Sequence, residues 1–115
     1  MGENPSSKDF RRSTRIACSI PVEVSGLDAG GQEVHEHTTS NLVNKHGACI
    51  SVQHQFSLGS QVVVRVPQTG RQQRCRVAWV SGGPRAGGIY QIGVELERAE
   101  NIWGVLSPPE DWGDS

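Results

Sequence analysis

Aromatic residues are scarce in this chain: three Trp, two Phe and one Tyr among 115 residues. A groove that stacks successive bases of a single strand needs aromatic platforms. The formal net charge of −1 supplies no extended field for a polyanion. Both shortages argue against DNA or RNA as the partner. No apolar run approaches the roughly 20 residues that cross a bilayer, so no membrane partner is expected. Met1-Gly2-Glu3-Asn4-Pro5 has neither the basic start nor the apolar stretch of a secretory signal, and the expected location is the cytoplasm. The three cysteines, Cys18, Cys49 and Cys75, are odd in number and share no C-x-x-C spacing. They read as reduced, half-buried small hydrophobes, not as a disulfide frame or a zinc site. There is no G-x-S-x-G, no H-E-x-x-H and no carboxylate pair set in an apolar run. No catalytic residue is assigned, and the chain is not expected to be an enzyme.

What the chain has in quantity is glycine, 14 residues, placed between short runs of Val and Ile. That pattern is the composition of strands joined by tight turns. Ile20, Val22 and Val24 alternate in a first strand, Ile20 to Ser25, which Pro21 places at a strand start or an edge. A second, more polar strand runs from about Gln32 to Val43, and a third covers Ala48 to Val52. A fourth spans Gln61 to Val66, with Val62, Val64 and Val66 on one face. In the fifth, Gln73 to Val80, Cys75, Val77 and Trp79 are expected to face inward. The sixth is Ile89 to Leu96, with Tyr90, Ile92, Val94 and Leu96 inward. Six short strands without helical periodicity predict an all-β fold, an antiparallel barrel or sandwich. Residues 1–9 offer nothing to bury and read as a mobile N-terminal segment. The β domain occupies 10–98. An irregular tail, 99–115, carries Trp103 and Trp112 around Pro108-Pro109, whose prolines oppose a helix; its tryptophans are expected to pack on the barrel or on a partner.

Arg11-Arg12-Ser13-Thr14-Arg15 holds three of the eleven basic residues just before the first strand. Arg11 and Arg15 are four apart and share a side in a helical or an extended backbone. Paired guanidiniums suit phosphate oxygens and the acceptor edge of guanine, because each planar fork donates two parallel hydrogen bonds. By itself the cluster reads as a solvated basic arm. Asn44-Lys45-His46-Gly47 forms a turn in which Gly47 can take positive φ at low cost. In a small barrel such a turn can sit beside the entry of the first strand, where it would offer polar groups to a ligand held by the arm. Other clusters read as structural. Glu33, His35 and His37 line one strand face, but no third strong metal ligand is near in sequence, and no metal site is assigned. Arg74 and Arg76 share a face that shows no aromatic residue for base stacking. Gly82 to Gly88 has no Gly-Lys-Ser/Thr and no following helix, so it is a hairpin loop and not a phosphate cradle.

Six landmarks come in order along the chain: Arg-Arg-Ser-Thr-Arg at 11–15, Ile20-Pro-Val-Glu-Val24, Gly47-Ala-Cys-Ile50, Leu58-Gly59-Ser-Gln-Val62-Val, Cys75-Arg76-Val77-Ala-Trp79-Val80 and Ile92-Gly93-Val94-Glu95-Leu96. As an ordered set they resemble the PilZ domain family, bacterial receptor modules for cyclic di-GMP. The resemblance implies a six-stranded antiparallel β-barrel, the PilZ-like split barrel, with a cyclic di-GMP site. The family motif R-x-x-x-R is met by Arg11 and Arg15, with Arg12 beside them. The second motif, Asp/Asn-x-Ser-x-x-Gly, aligns on Gly47 and places Leu42 where Asp or Asn belongs and Asn44 where Ser belongs. Asn41 stands one position early, and a one-residue slip turns a strand side chain to the opposite face unless a bulge re-aims it. The ligand set implied is Arg11, Arg12, Arg15, Asn44 and Gly47. The arm would order on binding and signal to a protein partner. The alternative is a PilZ-like interaction module that has lost the ligand and docks another protein through the barrel face or the Trp103/Trp112 tail. Oligomeric state is not encoded in any of these features.

Overall fold

A computed structural model describes residues 14–83 and 87–112 of the chain. The segment 1–9, Arg11 and Arg12 lie outside the described residues. Seven strands follow in order: β1 (Ile16–Ala17), β2 (Pro21–Leu27), β3 (Glu33–Asn44), β4 (Gly47–Val52), β5 (Gln61–Val66), β6 (Arg71–Gly83) and β7 (Ile89–Leu96). All pairings are antiparallel. The sheet runs β1-β3-β2-β5-β6-β7-β4, and β3 also pairs with β4. Strands β2 to β7 therefore close into a six-stranded barrel, and β1 is a short outer strand on β3. Closure leaves no free edge on the six barrel strands. The only helical turn among the described residues is the three-residue 3-10 turn Glu110–Trp112.

The alternation read from the sequence sets the barrel's inside. Val62, Val64 and Val66 of β5 are buried, as are Val22 and Val24 of β2 and Ile92, Val94 and Leu96 of β7. Pro21 opens β2, where its missing N–H costs the ladder little. The fourth and sixth sequence-predicted strands coincide with β5 and β7. Trp103 and Trp112 of the tail both join this core, at 1% and 3% exposure. They are consequently not available as docking residues, and that part of the alternative reading is corrected.

Two irregularities change which residues face outward. In the β3–β4 ladder Ser40 pairs with Ile50 and Leu42 with Cys49, leaving Asn41 as an extra residue. In the β6–β7 ladder Val77 pairs with Val94 and Trp79 with Gly93, leaving Ala78 extra. Each is a β-bulge, and each reverses the facing of the residues beyond it. Trp79 was expected to face inward; past the bulge it is 44% exposed.

Polar groups taken into the barrel are satisfied. Ser40, fully buried, donates its hydroxyl to the Cys18 carbonyl at 2.6 Å and accepts the Ile20 N–H at 3.0 Å. It thereby fixes the chain between β1 and β2. Glu36 accepts the N–H groups of Gln53 and His54 and lies 2.6 Å from His54 Nδ1. Burial pushes the Cys75 thiol up from 9.0 to about 12, against a smaller opposing hydrogen bond with the Val64 backbone. Below pH 9 the thiol is protonated in folded and unfolded chains alike. As pH rises from 9 towards 12 the unfolded thiol ionises while the folded one keeps its proton, so stability falls. Urea midpoints measured from pH 8 to pH 10.5 are expected to decline more steeply in the wild type than in Cys75→Ala. Parallel declines would show that this thiol does not contribute.

Candidate functional site

The site is assembled where β1 and β3 meet β4, β7 and β6. β1 pairs Ile16 with Val43 and Ala17 with Leu42. Arg15, the residue just before β1, is thus set beside the end of β3. The tail holds this junction from the other side. Asp111 Oδ2 accepts both the N–H and the hydroxyl of Thr14, at 2.9 and 2.8 Å. The Trp112 indole N–H donates to the Thr14 carbonyl at 2.8 Å. Arg15 therefore extends from a backbone tied on both flanks.

Arg15 lines a cavity of about 510 Å³ together with Leu42, Asn44, His46, Gly47, Cys49, Arg76, Trp79 and Glu95. That volume lies in the range of small-molecule sites. Of the residues expected from sequence, Arg15, Asn44 and Gly47 come together here. Leu42, where the second motif would carry Asp or Asn, lines the same cavity.

The Asn44–Gly47 turn is a rigid part of this wall. Asn44 Oδ1 accepts the N–H groups of His46 and Gly47, at 2.8 and 2.9 Å. Its carbonyl accepts the Trp103 indole N–H at 2.8 Å. The His46 carbonyl accepts from the Leu96 N–H, and the Lys45 carbonyl from the Glu100 N–H. Asn44, expected as a ligand contact, uses its side-chain oxygen to shape the turn. Gly47 does not use the positive φ open to glycine. Glycine is needed there for a different reason: an added Cβ would lie well inside 3.0 Å of the Val94 carbonyl oxygen, a separation real Cβ atoms essentially never show. The turn glycine lets β4 approach β7.

The two bulges supply what the sequence pattern missed. Asn41 follows buried Ser40 and faces outward, and the bulge turns Leu42 to that same face; Asn41 Nδ2 donates to Ser51 Oγ at 3.1 Å and reaches Cys49 Sγ at 3.9 Å. Asn41 is beside the cavity, next to a residue that lines it. The bulge at Ala78 brings Trp79 onto the outer face with Arg76. The indole lies flat on Gly93, whose missing side chain leaves room for it. Arg76 Nη2 donates to Glu95 Oε1 at 2.6 Å. The Arg74/Arg76 face, expected to be without aromatics, thus acquires one. Burial pushes the Cys49 thiol up; the Asn41 amide and, more weakly, the positive charge of Arg15 oppose that shift. Cys49, Arg76, Trp79 and Glu95 lie within the family landmarks, but neither ligand motif includes them. The only signal for Trp79 was its place opposite a glycine on the neighbouring strand.

The arrangement presents a cation, an exposed indole face, a second guanidinium held by a carboxylate, and a backbone turn. These elements suit a planar, anionic small molecule: guanidinium for phosphate or guanine edge, indole for a ring face.

A family model described as PilZ domain matches residues 9–102. A solved structure titled as the Bacillus subtilis inhibitor of motility (MotI/DgrA) is similar in fold, with a TM-score of 0.56 at 15% identity over 79% of this chain and 44% of that one. The chain thus spans less than half the length of that neighbour. No curated protein matches the chain by sequence.

Proposed function

The chain belongs to the PilZ domain family, a family of cyclic di-GMP receptors, and from that premise we propose that it is a binding module for cyclic di-GMP and not an enzyme. The observation that carries this reading is the convergence of Arg15 and the Asn44–Gly47 turn on one cavity of about 510 Å³. Arg15 donates to a phosphate or to the guanine edge. Trp79 offers its exposed face to a guanine ring. Asn44 acts by holding the turn, and the backbone at Gly47 forms part of the floor. Arg11 and Arg12 complete the clamp from the arm. Because Asp111 and Trp112 hold Thr14, ordering of the arm reaches the tail and changes the surface offered to a protein partner.

Titration calorimetry with cyclic di-GMP tests this. The wild type is expected to bind. Arg15→Ala is expected to lose roughly 1.5–3 kcal/mol, the worth of a hydrogen bond to a charged group, and Trp79→Ala roughly 1–3 kcal/mol, the worth of a base–aromatic stack. A wild type that gives no heat at tens of micromolar ligand would sink the sensor reading. Binding that survives loss of Arg15 would remove the arginine from the site.

A second reading, a PilZ module that docks a protein without the nucleotide, is favoured by Leu42. It lines the cavity where the motif carries Asp or Asn, and it cannot hydrogen-bond a base. The barrel face is then the docking surface, and calorimetric silence is its expected result.

A further inference from the structure

A second cluster lies on the outer face of β2 and β3, five residues up β3 from Leu42, or about 16 Å at the rise of a strand. We propose that Glu23, His35 and His37 form a binding site for a divalent first-row transition metal, independent of the nucleotide cavity. His35 and His37 share a face of β3 because they are two apart. The β2–β3 register sets Glu23 opposite His37 and Ser25 opposite His35. The third ligand that the sequence did not offer locally is therefore Glu23, from the neighbouring strand, and not Glu33.

The ligand atoms of the three residues all lie within 4.8 Å of one another. His35 Nε2 is 3.6 Å from Glu23 Oε1, and His37 Nδ1 is 3.7 Å from Glu23 Oε2. Ligands on a tetrahedral ion with bonds of roughly 2.0–2.1 Å stand about 3.3–3.5 Å apart. These two edges end on different carboxylate oxygens, so Glu23 meets the ion with both oxygens or turns one of them to face both rings, and rotation of the exposed imidazoles closes the remaining edge from within 4.8 Å. The imidazoles are already stacked, with centroids 5.1 Å apart. Ser25 Oγ lies 3.3 Å from His35 Nδ1. It orients the ring so that Nε2 faces Glu23, as hydrogen bonds behind metal ligands commonly do. Arg65 Nη1, 3.6 Å from Glu23 Oε2, shares the carboxylate and must yield part of it to the ion. Two imidazoles and one carboxylate suit zinc, nickel or copper over calcium or magnesium. The histidine side chains are 55% and 74% exposed, which leaves the fourth position open to water or to another molecule's side chain.

Zinc(II) is titrated calorimetrically into the full chain carrying Cys18→Ser and Cys49→Ser, which removes the two partly exposed thiols as competing ligands. One equivalent is expected to bind, and His37→Gln is expected to weaken it at least about tenfold, the smallest loss seen when a metal ligand's support is disturbed. No binding at tens of micromolar zinc, or binding unchanged in His35→Gln/His37→Gln, would overturn the proposal. Nickel(II) added to the wild-type chain gives a readout that needs no variant. Paramagnetic broadening of amide signals is expected to centre on Glu23, His35 and His37, and broadening centred elsewhere would overturn the site.

Discussion

Trp103→Ala is expected to lower the unfolding free energy by about 3–5 kcal/mol, the usual cost of emptying a large aromatic site. The residue is 1% exposed and heads the fully buried side chains by volume. Its indole N–H also donates to the Asn44 carbonyl 59 positions away at 2.8 Å. Alanine removes both the ring and the donor, and a carbonyl left unpaired costs about 1–3 kcal/mol unless water reaches it. Domains hold only about 5–15 kcal/mol in total, so the variant is expected to be close to unfolding at 37 °C. Trp103→Phe separates the two contributions. It keeps part of the aromatic ring but loses the N–H and leaves the Asn44 carbonyl unpaired, for which about 1–3 kcal/mol is expected. Urea midpoints should rank wild type, then Phe, then Ala. An alanine variant within about 1 kcal/mol of wild type would mean that the tail is not part of the core. The consequence extends to the cavity, because the Asn44 turn rests on Trp103. Under the proposed function, cyclic di-GMP affinity is expected to weaken in the Phe variant even though it remains folded.

The strands were legible because their signal is local. Val62, Val64 and Val66 alternate with Val63 and Arg65, and no partner strand is needed to say which set is inside. Pro21 and the glycine turns mark their ends for the same reason. What the sequence hid is set between strands. A bulge is a count of two residues against one, and neither Asn41 nor Ala78 announces it without the partner ladder. Once Ala78 is extra, Trp79 leaves the core face and becomes part of the cavity wall. β1 is two residues long and carries no period at all, yet its pairing with Leu42 and Val43 is what positions Arg15. The clasp of Thr14 by Asp111 and Trp112 joins residues 97 and 98 positions apart, a distance at which no spacing rule operates. Glu23 joined His35 and His37 through register alone. Within the candidate site, Arg15, Asn44 and Gly47 were reachable through the family's two ligand motifs, whereas Arg76, Trp79 and Glu95 lie in family landmarks that assign them no ligand role and reach the site only through the fold.

Gly47→Ala is expected to cost about 3 kcal/mol or more, at or beyond the upper end of ordinary overpacking. The reason is the identity of the atom it meets. A side chain can rotate away from an added methyl, but the Val94 carbonyl belongs to the β4–β7 ladder, where Gly47 pairs with Glu95 and Ala48 with Val94. Relief requires the two strands to separate at the floor of the cavity, which also draws Glu95 away from Arg76. Gly30→Ala is the matched control. Its added Cβ meets only the Asp28 carboxylate at an ordinary 3.5 Å, and a change within about 0.5 kcal/mol is expected, as for most surface substitutions. Equal midpoints for the two variants would show that the close approach at Gly47 imposes no constraint. Gly47→Asn then distinguishes crowding from backbone conformation. A left-handed turn position tolerates Asn better than Ala. A position that excludes Cβ by contact with backbone treats Asn as badly as Ala or worse. The expected order of stability is glycine, alanine, asparagine, and an asparagine variant more stable than the alanine one would restore the turn-conformation explanation. Faster amide exchange confined to β4 and β7 in Gly47→Ala would locate the damage at the junction where Arg15 and the Asn44 turn meet.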